Sequence, residues 1–218
     1  REVVRVITTG TVLEENLLEA KINNFLCAIY PFQNCFAVAF ADVSTGEFFY
    51  QTIPDDPHFR KLKLQIARFT PSEILLPKKE SENADLIKSI QNEKTVLNFV
   101  DDITFSPELI GEKLPELDIE PFDPEHKLCG ACPCSAIVSY IEKTQPGLLS
   151  NIKNIKKVSF NDFMVLDDLA IKNLELVGGL NSASRSGSLF EIMDKTVTSM
   201  GARFLRKSIL EPLLDIKI

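Results

Sequence analysis

Four residues with metal-ligating side chains fall within nine positions, His126, Cys129, Cys132 and Cys134. Soft thiolates and an imidazole at that density could close a tetrahedral zinc site. The spacing is unusual, because structural zinc sites pair ligands from two separate elements, whereas these lie in one connection and the first turn of a helix stiffened by Pro133. Small buried cysteines near a helix start explain the same residues without metal. A second candidate is Asp42, in the run Ala-Asp-Val-Ser-Thr-Gly that closes an apolar stretch. Two-metal hydrolysis of a phosphodiester needs two or three further carboxylates facing it. Asp85, Asp101 and Asp102 are the only loosely suitable companions, and a carboxylate entering the Ser44-Thr45-Gly46 turn accounts for Asp42 as well.

Other catalytic arrangements fail on inventory. No Gly-x-x-x-x-Gly-Lys phosphate loop is present, since Gly178-Gly179 runs into Leu-Asn-Ser-Ala-Ser and Gly187 precedes Ser188. Any Ser-His-Asp or Cys-His site must use His58, which starts an exposed helix, or His126, in a Pro-rich connection. Lys156-Lys157 and the trio Arg203, Arg206 and Lys207 could touch phosphate, although such groups are more often a solvated face.

The elements that must position these residues can be read in order. Phe25–Tyr30 and Cys35–Val43 are near-continuous apolar runs suited to strands buried on both faces. Glu47–Ile53 follows the Ser44-Thr45-Gly46 turn and completes an antiparallel meander. A helix through Phe59, Leu62, Ile66 and Phe69, a strand Glu73–Leu76, a helix with Leu86, Ile87 and Ile90 and a strand Val96–Val100 come next. This β-β-β-α-β-α-β order predicts an α/β fold with a ribonuclease-H-like mixed sheet and flanking helices. Beyond residue 130 the pattern turns helical. Pro133 suits the first turn of a helix carrying Ile137, Tyr140 and Ile141 that stops at Pro146-Gly147. Asn161 or Asp162 caps a long helix whose stripe runs Leu166, Leu169, Ala170, Leu174 and Val177 to Gly178-Gly179, interrupted by Asn173. Ser188–Asp194 reads as a short helix, and Thr198 caps a last one that stops before Pro212.

Composition narrows the class. The chain has 218 residues, 44% hydrophobic and 25% charged, enough for a sizeable core. Residues 1–120 carry 12 Lys+Arg against 20 Asp+Glu, a net of −8, and the remainder 12 against 11, a net of +1, so all the excess acid behind the overall −7 lies in the first half. That excludes a module gripping a phosphate backbone unaided. The longest apolar stretch, Cys35 to Val43, is under half a membrane span. Five cysteines at low density argue for reduced thiols in a cytosol-like compartment. The opening Arg-Glu-Val-Val-Arg-Val has no leader character, and we expect a piece of something longer.

Several ordered motifs resemble one family. Arg1-Glu-Val-Val-Arg-Val-Ile-Thr-Thr-Gly-Thr11, Asn23-Asn-Phe-Leu-Cys-Ala-Ile29 and Ala41-Asp-Val-Ser-Thr-Gly-Glu-Phe48 are similar to the start of the connector region in the MutS family of DNA mismatch repair proteins. Tyr140-Ile-Glu-Lys-Thr-Gln145, Phe163-Met-Val-Leu-Asp167, Asn173-Leu-Glu-Leu176, Gly187-Ser-Leu189, Asp194-Lys-Thr196 and Met200-Gly-Ala-Arg-Phe-Leu-Arg206, closing on Pro212-Leu213, resemble the entry to its helical lever. Thr9 stands where the family has Pro, Ala170-Ile-Lys172 where it has Thr-Arg-Arg, and the cysteine cluster where it has a Gly/Ala-rich run without metal.

The resemblance implies a division into residues 1–14, the end of a mismatch-recognition domain and its linker; 15–158, a ribonuclease-H-like connector without nuclease function; and 159–218, the first part of a mainly helical lever. It implies no enzymatic activity in this chain. The family's Phe-x-Glu mismatch wedge is absent, since none of the 15 Phe residues has Glu two positions later. The implied work is allosteric relay between mismatch reading and a distant ATPase, with docking of the partner MutL on the polar helix end Glu142, Lys143 and Gln145. The full-length protein would bind mismatched DNA, and ATP with Mg, as a cytoplasmic homodimer. Hinges are expected at residues 1–16 and roughly 146–162, and apolar faces at Met200, Phe204 and Ile209 are expected to stand exposed, inviting self-association.

Overall fold

The computed structural model describes residues 8–12, 21–92, 95–113, 118–119, 127–159, 163–178 and 187–215. The meander forms as its residues require. Strands β1 (Leu26–Phe32), β2 (Cys35–Asp42) and β3 (Glu47–Pro54) are rich in aromatic and branched side chains and pair antiparallel, with Leu26 opposite Ala41 and Ala41 opposite Phe48. Gly46 closes the second hairpin at φ +76°, where a Cβ would meet the Asn151 carbonyl oxygen at 2.4 Å. Helix α1 (Arg60–Phe69) leads to β4 (Glu73–Pro77), and α2 (Ala84–Ile90) leads to β5 (Val96–Val100). Both strands run parallel to β1, so the sheet is mixed. After α3 (Glu108–Lys113) and β6 (Asp118–Ile119) the chain enters α4 (Lys127–Thr144) and then β7 (Asn154–Lys157). The strand order is β5-β4-β1-β2-β3-β7-β6.

Alternation along the central strands sorts their side chains onto two faces. Leu26, Ala28, Ala39, Ala41 and Tyr50 meet Cys134, Ala136, Ile137 and Ile141 of α4. Cys27, Ile29, Val38, Phe40 and Phe49 meet Leu62, Ile66 and Phe69 of α1 and Leu86 and Ile90 of α2. Three layers result, with α4 on one face and α1 and α2 on the other. The alanines under α4 let the helix approach closely, while Phe25, Phe40, Phe49 and Phe69 fill the opposite face with ring centroids 4.6 to 6.1 Å apart.

Three sequence expectations change. Helix α4 starts six residues before Pro133, which lies inside it. Burial of Ala131, Cys132 and Cys134 offsets the hydrogen bond that proline cannot donate. The long helix expected before Gly178 shrinks to α5 (Asp168–Asn173), capped by Asp167, whose carboxylate accepts from the Ala170 amide at 2.7 Å. Glu175 sits at φ +48° and ends it, and Leu169 and Leu174 of the expected stripe are 68% and 62% exposed. The caps expected from the sequence, Asn161 and Asp162, lie outside the described residues. Within the expected hinge 146–162, residues 154–157 instead form β7, whose Lys156 and Lys157 pair parallel with Phe49 and Tyr50 of β3 and whose Ile155 is fully buried.

The remaining elements follow the sequence. Helix α6 (Leu189–Met193) is capped by Ser188 and α7 (Ser199–Leu210) by Thr198, each hydroxyl accepting an amide from its first turn. Met200 and Phe204 are exposed, while Ile209 is half-buried. Among the described residues no helix is long and apolar enough to cross a membrane.

Candidate functional site

Among the described residues the metal-ligand and carboxylate candidates do not converge, whereas three of the basic candidates, Lys156, Arg203 and Lys207, line one cleft between β3, β7 and α7. Cys132 and Cys134 are buried against the sheet. Burial, with the nearby Glu108 carboxylate adding to it, pushes the Cys132 thiol up to about 11, and burial raises Cys134 well above the ordinary thiol range. Such groups keep their protons and act as small apolar side chains. His126 and the side chain of Cys129 lie outside the described residues. His58 is exposed, in a tight turn at φ +67°.

Asp42 is fully buried and spent on turn and backbone contacts. One carboxylate oxygen accepts from the Ser44 amide at 2.9 Å and the Ser44 hydroxyl at 2.6 Å, the other from the Asn24 amide at 3.1 Å and Asn23 Nδ2 at 3.0 Å. Asp101 and Asp102 follow the far end of β5, which runs opposite to β2, so they stand at the other end of the sheet. Asp101 pairs there with Lys78 at 2.5 Å, which holds its carboxyl below the usual range. Asp85 is an exposed first-turn residue of α2.

At the end of α4, Lys143 is exposed and Glu142 half-buried. Gln145 corrects the expectation of an open docking face, because it is buried and its amide donates to the Thr11 carbonyl at 2.8 Å and to Thr11 Oγ1 at 3.3 Å. A buried amide must find internal partners, and the chain segment before the sheet supplies them.

That segment, Thr8–Val12, forms a strap centred on a group sequence reasoning missed. Glu73 is fully buried at the start of β4. It accepts from the Gly10 amide at 2.8 Å, from Asn98 Nδ2 at 2.5 Å and from the Tyr140 hydroxyl at 2.5 Å. Burial, then Glu73, pushes the Tyr140 phenol up to about 12. Gly10 is required here: a Cβ on it would lie 2.9 Å from Glu73 Cβ and 3.0 Å from Leu26 Cδ1. Asn24 Nδ2 holds the Thr9 carbonyl at 2.9 Å, and Thr9 Oγ1 donates to the Ser72 carbonyl at 3.3 Å. The described part of the expected hinge 1–16 is thus fastened to the sheet. The available signal was a charged residue opening an otherwise apolar strand.

The other end of the chain is fastened near the same edge. Arg68 of α1 and Glu211, after α7, approach to 3.0 Å with side chains only 10% and 6% exposed, and the guanidinium lies 4.7 Å from the Phe163 ring centroid and 5.2 Å from that of Phe69. Lys207 of α7 meets Glu47 at 2.7 Å. Lys21 meets Asp194 at 2.6 Å, and the Lys21 and Thr196 hydrogen bonds pull the Asp194 carboxyl down to about 2. The Met164 amide donates to the Pro212 carbonyl at 2.8 Å, and Phe163 bridges to Leu213.

Comparison with known proteins gives this two-part build a name. Residues 24–153 match the family model "MutS domain II", and residues 169–218 match "MutS domain III". The chain belongs to the MutS family. Three curated relatives, each named "DNA mismatch repair protein MutS", align with it almost throughout. The protein of Acetivibrio thermocellus is 33% identical over 99% of this chain, that of Clostridioides difficile 34% over 99%, and that of Methanothrix thermoacetophila 33% over 100%. The chain spans only about a quarter of their length, 25%, 22% and 24% respectively. In MutS terms the sheet body is the connector and α5 to α7 begin the helical core. Arg68–Glu211 and Lys207–Glu47 are then contacts between the two matched domains, and the strap lies just before the first.

Proposed function

We propose that this part of the MutS protein is a mechanical relay that also presents a docking surface. The connector is taken as a ribonuclease-H-like body, a reading supported by the three-strand meander with β4 and β5 added parallel to β1. In the full-length protein it would pass signals between mismatch-bound DNA and an ATPase that holds ATP with Mg, in a cytoplasmic homodimer. The sequence carries no Gly-x-x-x-x-Gly-Lys phosphate loop, which supports assigning those ligands to other domains of the full-length protein. The observation that carries the relay is that the segments at both ends, the strap and the base of the helical core, are bound to one sheet body by buried polar contacts at Glu73 and Arg68. A body held at both ends transmits displacement instead of absorbing it.

The docking partner proposed is MutL, received at the exposed end of α4, where Lys143 stands free of the core and Gln145 does not. Calorimetric titration of this chain with the N-terminal domain of MutL from the same organism, repeated with Lys143→Glu, tests it. Saturable binding weakened by the substitution is expected; no binding by the folded chain, or binding indifferent to Lys143→Glu, refutes the assigned surface.

A further inference from the structure

At one end of the sheet a continuous hydrogen-bonded series runs from the strap to α7. Asn24 Nδ2 donates to the Thr9 carbonyl at 2.9 Å, and the Asn24 amide donates to Asp42 Oδ2 at 3.1 Å. The same oxygen accepts from Asn23 Nδ2 at 3.0 Å, and that amide group also reaches Glu47 Oε2 at 3.2 Å. The other Glu47 oxygen accepts from Lys207 at 2.7 Å. Asp42 in the middle is immobilised, being fully buried and held by Ser44. The two ends are exposed, Thr9 at the surface and the Lys207–Glu47 pair at 48% and 34%.

From this geometry we infer that Asn23 and Asn24 are positioning residues that couple the strap to α7. Both hydrogens of the Asn23 amide are committed, one to Asp42 and one to Glu47. When Lys207 withdraws, Glu47 is free to turn to solvent and Asn23 loses one of its two acceptors. Asn23 and Asn24 are adjacent on the backbone and share the Asp42 oxygen, so loosening the first weakens the grip of the second on Thr9. The joint to the helical core and the joint to the strap therefore communicate along the sheet end, without repacking the core beneath α4. This deepens the relay reading by naming its residues.

Amide hydrogen exchange on the chain itself tests the coupling without MutL, DNA or nucleotide, so its failure is distinct from failure of the docking titration. Exchange is followed at Gly10 and Thr11, with circular dichroism confirming the fold of each variant. Lys207→Ala should speed exchange at both amides about twofold to fivefold, the scale of a partly exposed ion pair. Lys207→Arg should restore the parent rates, and Lys88→Ala, at an exposed lysine of α2, should leave them unchanged. In an Asn23→Ala background the strap should already exchange faster, and Lys207→Ala should add nothing. Unprotected strap amides in the parent chain, strap rates indifferent to Lys207→Ala, or an undiminished Lys207 effect without Asn23 would each overturn the coupling.

Discussion

Glu73 shows what one charge can do when it is surrounded by donors. A buried carboxylate is tolerated only when hydrogen-bonded, and Gly10, Asn98 and Tyr140 each donate to it. Gly10→Ala places a methyl group 2.9 Å from the Glu73 side chain, and overpacking of that kind costs about 1–3 kcal/mol. Chemical denaturation should show the loss, with the strap amides losing protection first. The Tyr140 phenol, raised to about 12, is a pH reporter. Its folded value lies above the ordinary tyrosine value of about 10, so the stability it contributes is complete below about pH 10 and falls as pH rises towards 12. Tyr140→Phe should remove that alkaline decline, which denaturation at a series of pH values will reveal.

Among elements, α4 carries the most revised reading. Two of the cysteines that suggested zinc, Cys132 and Cys134, lie on the sheet-facing surface of the helix, with Cys134 over small alanines. Cys134→Ser would bury a hydroxyl among apolar neighbours and cost about 1–3 kcal/mol, read as a lowered unfolding midpoint. A chelator should leave that midpoint unmoved; a drop of several degrees would return the zinc site to consideration. The joint between α1 and the segment after α7 makes a different prediction. Arg68→Ala strands Glu211, which is 6% exposed, and removing one partner of a buried pair costs about 3–5 kcal/mol. Replacing both, Arg68→Met with Glu211→Leu, should regain most of that loss in the same denaturation experiment, because the uncompensated charge is gone.

For the whole molecule, the arrangement matters more than any one contact. The starts of β1, β3 and β4 and the end of β2 share one end of the sheet, and both the strap and α7 attach there. On the proposed relay, in which a full-length protein couples mismatched DNA to ATP turnover, Glu47→Lys, which sets like charges against Lys207, should leave turnover without DNA unchanged while reducing its response to mismatched DNA. Steady-state hydrolysis with and without a mismatched duplex measures this, and an unaltered response would argue against transmission through this joint.

The order of strands and helices through residue 100 was legible because apolar runs of strand length, punctuated by Gly, Pro and Asn, leave few alternatives. The Ser188 and Thr198 caps were legible for the same local reason, and family membership because ordered motifs are carried by the chain itself. Local pattern does not report what lies opposite a residue once the chain has folded. Leu166, Leu169 and Leu174 repeat like a helix face, yet Leu169 and Leu174 remain exposed and the helix stops after Asn173. Gln145 looks like a solvated helix end, yet it closes on Thr11, 134 residues earlier. Glu73, Gly10 and Tyr140 give no sign along the sequence that they meet. Sequence by itself determined the strands and helices through residue 100, because that choice depends on side chains a few residues apart. Tertiary structure alone decided which polar groups form the joints, because a buried charge takes its partners from whatever distant segments the sheet brings within hydrogen-bond reach.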